Sequence, residues 1–140
     1  MKKILILALG ALAMISCAKQ PCDARHTCWA YDATIYELNT RQATPEGTFA
    51  AAEALLPELK ESGVDIIWIM PIQKIGVLER KGTLGSYYAI TDYCEFNPEF
   101  GTRADFEHFL AKAHELGMKV ILDWVANHTA PDSEWTKNEG

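Results

Sequence analysis

The chain has 140 residues, of which 49% are hydrophobic and 23% charged, and its formal net charge is −6 at pH 7. This composition is that of an ordinary globular protein, so it excludes collagen-like, coiled-coil and wholly disordered chains. The length allows at most one compact domain, and the negative charge argues against nucleic acid as a partner.

The first sixteen residues have the pattern of an export signal. A basic start, Met1-Lys2-Lys3, precedes an unbroken apolar run over residues 4–15, which is too short to cross a bilayer core of about 30 Å. We predict that residues 1–16 are a signal peptide; their removal takes the formal charge to about −8.

The apolar run ends in Met-Ile-Ser-Cys, with the cysteine at position 17. This sequence resembles the lipobox of bacterial lipoproteins and implies lipidation of Cys17 after cleavage. The expected protein is therefore exported and anchored to a membrane through lipid, in the periplasm or at the cell surface. The alternative is a soluble secreted protein in which Cys17 is a spare thiol.

If Cys17 carries lipid, Cys22, Cys28 and Cys94 remain, an odd number for an oxidising compartment, and their pairing stays open. The spacing of Cys22 and Cys28 is not a zinc or redox Cys-x-x-Cys pattern, and Cys94 is expected to be a small buried hydrophobic residue. Residues 17–33, polar and without periodicity over much of their length, are predicted to form a tether before the folded part at 34–140.

Strands and helices are predicted to alternate from residue 34 onward. A strand over 34–39 is followed by a polar loop over 40–47 and a helix that begins at its N-cap, Thr48, and ends before Gly63. Pro57 should kink or divide this helix. Residues 64–70 are almost continuously apolar, which is typical of a parallel strand buried on both faces.

A second helix is expected between Thr102, its N-cap with Asp105 three residues later, and Gly117, before another buried strand over 119–125. This order predicts parallel strands joined by right-handed crossovers, which occur in open doubly wound sheets and in (β/α)8 barrels. The long connection over 72–102 favours a barrel enzyme, because such loops carry the sites of barrels.

That connection contains Tyr87, Tyr88 and Tyr93 beside Asp92. Aromatic rings near a carboxylate suit a carbohydrate, whose C–H faces pack on rings, and Tyr88 is the candidate platform. The alternative is that these tyrosines fold the loop back onto the domain.

The end of the third predicted strand brings Asp123, Asn127 and His128 to the edge of the sheet where ligands of α/β folds bind. An inward-facing Asp123 needs a partner to offset its burial, and an arginine on another strand is expected. Taken singly, Asn127 is typical of a turn and His128 of a capping or solvated loop position.

Five segments together resemble the α-amylase family of glycoside hydrolases in order and spacing, from about residue 34 to Trp135. They are Ile-Tyr-Glu-Leu at 35–38, Ile-Trp-Ile-Met-Pro-Ile at 67–72, Gly-Ser-Tyr-Tyr-Ala-Ile-Thr-Asp-Tyr at 85–93, Asn-Pro-Glu-Phe-Gly-Thr at 97–102 and Asp-Trp-Val-Ala-Asn-His at 123–128. The resemblance implies an α/β fold, a (β/α)8 TIM barrel of which the first three β/α units are present. It also implies retaining cleavage of α-glucosidic bonds in starch-like glucans by two carboxylates.

Carried over by position, the resemblance implies that Tyr88 stacks on the sugar and that His128 hydrogen-bonds its hydroxyls. Asp123 would support the arginine and nucleophile region without reacting, and Asn127 matches a calcium ligand of the calcium-dependent members. Trp124 and the pair Ser86-Tyr87 depart from the commoner residues of the family at their positions.

A complete barrel needs about 250 residues, and the resemblance places all three reacting carboxylates beyond the third strand. We therefore expect an N-terminal portion that lacks the catalytic carboxylates and is inactive alone. Two alternatives are a non-catalytic, lipid-anchored glucan-binding module and a small open-sheet domain unrelated to sugars. Endo-amylase, α-glucosidase, pullulanase and transglycosylase remain equally open, as do the calcium requirement, the membrane leaflet and any oligomer.

Overall fold

The computed structural model of the chain describes residues 27–137, which belong to two units divided after Asp32. In the first unit Cys28–Ala30 forms a single 3-10 turn, and Cys28 is disulfide-bonded. The predicted signal peptide, Cys17 and Cys22 lie outside the described residues. Within residues 27–137, no helix is both long enough and apolar enough to span a membrane.

The second unit contains five strands, five α-helices and one 3-10 helix, Pro98–Phe100, among its described residues. The strands are β1 (Ile35–Leu38), β2 (Ile66–Ile69), β3 (Gln73–Ile75), β4 (Ile90–Phe96) and β5 (Lys119–Leu122). The helices are α1 (Thr40–Ala43), α2 (Phe49–Glu53), α3 (Leu56–Glu61), α4 (Arg103–Glu115) and α5 (Glu134–Lys137).

A three-stranded parallel sheet forms the centre of this unit, in the order β1-β2-β5. In its register Ile67 of β2 lies between Tyr36 of β1 and Val120 of β5. The three predicted strands therefore lie side by side in one direction, as expected. Their carboxyl ends meet at one edge, so the segments that follow them are brought together there.

Helices cover one face of the sheet and form the core with it. Ile67 and Ile69 of β2 are fully buried in this core, together with Phe49 of α2 and Phe109 of α4. The predicted burial of β2 on both faces is wrong for Trp68, whose residue surface is 39% exposed. Trp68 alternates with the buried pair and so points to the face away from the core.

The predicted helix boundaries follow from capping. The Thr48 hydroxyl accepts a hydrogen bond from the Ala51 amide at 3.3 Å, at the start of α2. Pro57 lies in the first turn of α3, so the predicted division into two short helices is confirmed. At α4 the Thr102 hydroxyl and the Asp105 carboxylate form a reciprocal capping box.

Two local predictions are wrong, the polar loop over 40–47 and the burial of Cys94. The expected polar loop over 40–47 contains a turn of helix, α1, in which the side chain of Thr40 is buried. The long connection over 72–102 contains an antiparallel ribbon of β3 and β4 with an irregular register. Cys94, in β4, is free and exposed, contrary to its predicted burial, because this ribbon stands outside the central sheet.

Asp132 joins this ribbon to the segment after β5. Its Oδ2 accepts hydrogen bonds from the amides of Val77 and Leu78 at 2.8 and 3.2 Å. The Val77 amide is the main reason that the pKa of Asp132 lies below its ordinary value. The ribbon is thereby fixed beside the carboxyl edge of the sheet.

Candidate functional site

The candidate site lies where the loop before β4 meets the segment after β5. The hydroxyl of Tyr88 donates a hydrogen bond to Oδ2 of Asp123 at 2.8 Å. This bond is the main cause that raises the pKa of Tyr88, and burial and the negative charges of Asp123 and Glu37 add to it. Tyr88 therefore stays a neutral donor, and its half-buried ring is held beside the end of β5.

His128 lies against the same loop. Its Nε2 is 3.1 Å from the carbonyl oxygen of Tyr88, and its Nδ1 is 3.3 Å from Nδ2 of Asn127. Because a carbonyl only accepts, these partners assign the proton to Nε2 and leave Nδ1 to accept from the Asn127 amide. Tyr88, Asp123 and His128, which the sequence placed in one site, are thus brought together.

Tyr93 builds the turn that carries His128, and the sequence analysis did not assign it this role. Its hydroxyl lies 2.6 Å from the carbonyl oxygen of Val125 and 2.8 Å from that of His128, so one O–H group donates to both ends of the turn. Its ring stacks on Trp135 with centroids 4.7 Å apart. The Thr129 hydroxyl and the Ala130 amide add hydrogen bonds to the carbonyl oxygen of Ile90.

The three tyrosines of the connection divide between the two roles considered for them. Tyr93 is tied back to the segment after β5, and Tyr87 packs on the core residue Phe100 with ring centroids 6.4 Å apart. Tyr88 alone of the three hydrogen-bonds to Asp123. The fold-back interpretation therefore applies to Tyr87 and Tyr93, and the carbohydrate-platform interpretation of Tyr88 stays a prediction.

Asp123 is half-buried, and the partner that the structure gives it is Tyr88. The arginine expected beside it stays a prediction. Asn127 is exposed, and between residues 27 and 137 there is no group of three or more His, Cys, Asp or Glu side chains arranged to hold a metal ion. Calcium takes six to eight oxygen ligands, and the role of Asn127 as one of them stays a prediction.

Residues 32–140 match the family model described as "Alpha amylase, catalytic domain". The chain belongs to the α-amylase family. The α-amylase MalA of Haloarcula japonica is 38% identical over 116 residues, and the α-glucosidase of Apis mellifera is 30% identical over 140 residues. These matches cover 81% and 96% of this chain but only 16% and 23% of the relatives.

Solved α-amylase family structures share the fold. A crystal structure of an α-amylase from Lactobacillus plantarum superposes with a TM-score of 0.75 and 50% identity, over 76% of this chain and 26% of that one. A maltogenic α-amylase from Thermotoga neapolitana gives a TM-score of 0.71 and 44% identity. The sheet β1-β2-β5 therefore corresponds to the first three strands of a (β/α)8 barrel, as the sequence predicted.

Proposed function

We propose that this chain is the N-terminal part of an α-amylase-type glycoside hydrolase that cleaves α-glucosidic bonds in starch-like glucans with retention. One observation carries the proposal: an aromatic ring, a carboxylate and an imidazole, from Tyr88, Asp123 and His128, are joined at the carboxyl edge of a parallel sheet. That edge is where barrel enzymes bind their substrates.

The ring of Tyr88 offers an apolar face to the C–H groups of a glucose unit, while its hydroxyl is occupied by Asp123. His128 is exposed, so a sugar hydroxyl can replace Asn127 or the Tyr88 carbonyl as partner of an imidazole nitrogen. A hydroxyl both donates and accepts, so it suits either nitrogen.

Asp123 acts here as a support. Its Oδ2 holds Tyr88, and in the proposal its carboxylate also braces an arginine from another strand beneath the nucleophile. The reacting carboxylates belong to later strands in this proposal, so residues 34–140 contribute binding and positioning to the reaction.

The remaining parts of the proposal concern location and calcium. Cys17 carries a lipid that anchors the exported protein, after removal of residues 1–16. Asn127 supplies one amide oxygen to a calcium ion whose other ligands come from outside residues 27–137. The names of the relatives, which include α-amylase, α-glucosidase and oligo-1,6-glucosidase, support an α-glucan or maltooligosaccharide substrate and leave the bond specificity open.

The test begins with the coding sequence downstream of residue 140. We expect a strand that ends in Arg-x-Asp and then a strand that carries a glutamate, and we expect the extended protein to release reducing ends from maltooligosaccharides. Tyr88→Ala should weaken binding of maltooligosaccharides to the extended protein, whereas Leu84→Ala, at a 54% exposed position in the same loop, should not. A genuine stop codon at this point, with sugar binding but no release of reducing ends, would favour the glucan-binding module instead.

A further inference from the structure

Arg41, in α1, contacts the loop that carries Tyr88. Its Nη1 donates to the carbonyl oxygen of Gly85 at 3.1 Å, and its Nη2 donates to the carbonyl oxygen of Leu84 at 3.2 Å. Nη2 also lies 2.9 Å from Oε2 of Glu99, which follows the buried Asn97. Although it is charged, the Arg41 side chain is only 14% exposed.

The same guanidinium lies over the ring of Tyr87, 4.3 Å from the ring centroid. Tyr87 also packs on the core residue Phe100, and the Phe100 ring centroid lies 6.0 Å from the same guanidinium, so Arg41 contacts both rings of this pair. Tyr88 is the next residue in the chain, and its side chain hydrogen-bonds to Asp123 and not to Arg41 or Phe100. A shift of Tyr87 or of the Leu84 and Gly85 carbonyls would therefore displace the backbone from which Tyr88 projects.

We propose that Arg41 is a positioning residue that sets the placement of the Tyr88 ring in the sugar-binding site. The chemistry favours arginine for this task. Its planar fork donates to neighbouring carbonyls while it stacks on an aromatic ring, whereas the ammonium group of lysine cannot hold both geometries. Arg41 Nε is buried without a hydrogen-bond partner, so the contacts of the two terminal nitrogens and the ring face define its position.

Arg103 provides a matched control, because it too is an arginine over an aromatic ring. Arg103 lies in α4, and its guanidinium is 5.1 Å from the ring centroid of Phe96. Phe96 is the last residue of β4 and does not belong to the loop that carries Tyr88. Arg103→Met should therefore remove a comparable cation–π contact and leave the Tyr88 loop in place.

The experiment follows the phenol of Tyr88 by NMR in the chain with 13C-labelled tyrosines, and Tyr88→Phe identifies its signal. In the wild type the hydrogen bond to Asp123 holds the pKa of Tyr88 above the ordinary tyrosine value of about 10. Arg41→Met should move the midpoint of the Tyr88 phenol titration toward the ordinary tyrosine value and should speed amide hydrogen exchange at residues 85–89. Arg41→Lys should do the same in part, and Arg103→Met should change neither.

An unchanged Tyr88 midpoint in a folded Arg41→Met variant would overturn the proposal. If Arg41→Met does not fold, as judged by far-UV circular dichroism, Arg41→Lys decides by the same readout. If neither variant folds, Arg41 serves the stability of the whole unit and the positioning role is wrong.

The proposal rests on the proposed function only in taking Tyr88 as the sugar-stacking residue. The phenol readout needs no sugar, so the two can fail separately. If Arg41→Met displaces Tyr88 but the protein does not bind maltotriose, the proposed function is wrong and the positioning role is supported. If the protein binds maltotriose but Arg41→Met leaves Tyr88 undisturbed, the positioning role is wrong and the proposed function is supported.

Discussion

Tyr93→Phe removes a single hydroxyl and should loosen the turn that carries His128. The ring is retained, so the stack on Trp135 at 4.7 Å survives. The lost O–H group serves the carbonyls of Val125 and His128, and since one proton is shared between them we count one hydrogen bond. A typical net value is about 1 kcal/mol. For a unit of this size that predicts a fall in Tm of about 4–8 °C.

Two assays check this prediction: thermal unfolding followed by circular dichroism, and amide hydrogen exchange by NMR. Exchange should accelerate at residues 126–129 and stay slow in β2. Tyr36→Phe, at a residue that is 40% exposed on β1, is the matched control and should leave Tm within about 2 °C. An unchanged Tm in Tyr93→Phe, or exchange that rises equally throughout the core, would refute the assigned role of Tyr93.

Three further predictions concern the core and the ribbon. Phe49 is 1% exposed and contacts three other rings edge-on. Phe49→Ala should therefore lower the free energy of unfolding in urea by about 3–5 kcal/mol, and Phe49→Leu should lower it by clearly less. Equal losses in the two variants would contradict this packing. In Gly76→Ala the new Cβ would lie 2.3 Å from Asp132 Oδ1, so we expect the free energy of unfolding to fall by about 1–3 kcal/mol and amide exchange in β3 to become faster. A variant as stable as wild type would contradict the close contact between Asp132 and the ribbon. The pKa of Asp132 is lowered in the folded state, so its contribution is present above the unfolded value of about 3.9 and is lost as the pH falls through the folded pKa. Asp132→Asn should therefore show a shallower fall in Tm below about pH 4 than wild type, and parallel curves would contradict the assignment.

The regular elements could be predicted because their signals are local. The capping box of Thr102 and Asp105 and the apolar run of β2 each lie within a few neighbouring residues. The ribbon of β3 and β4 could not be, because it depends on pairing between distant residues and its register is irregular. The exposure of Trp68 was missed for a related reason, since an apolar run does not show which faces will be covered.

The candidate site was predicted to the extent that it depends on strand ends. Asp123 and His128 follow a strand, so the edge they share could be inferred from the order of elements. Arg41 and Tyr93 donate hydrogen bonds to backbone carbonyls that are distant in the chain. Because every residue carries the same backbone carbonyl, the residue types do not indicate which one is the partner. For Tyr93 the one available signal was its place in an aromatic loop, which indicated fold-back but not its partner.

The most direct test of the central claim is a titration of the 13C,15N-labelled chain with maltotriose, followed by NMR. If the edge formed by Tyr88, Asp123 and His128 is part of a glucan cleft, shifts should concentrate on the Tyr88 ring and the His128 imidazole. Tyr88→Ala should abolish the shift of the His128 imidazole, while Leu84→Ala retains it. Absence of any shift at millimolar maltotriose, or shifts centred on another surface, would contradict the account.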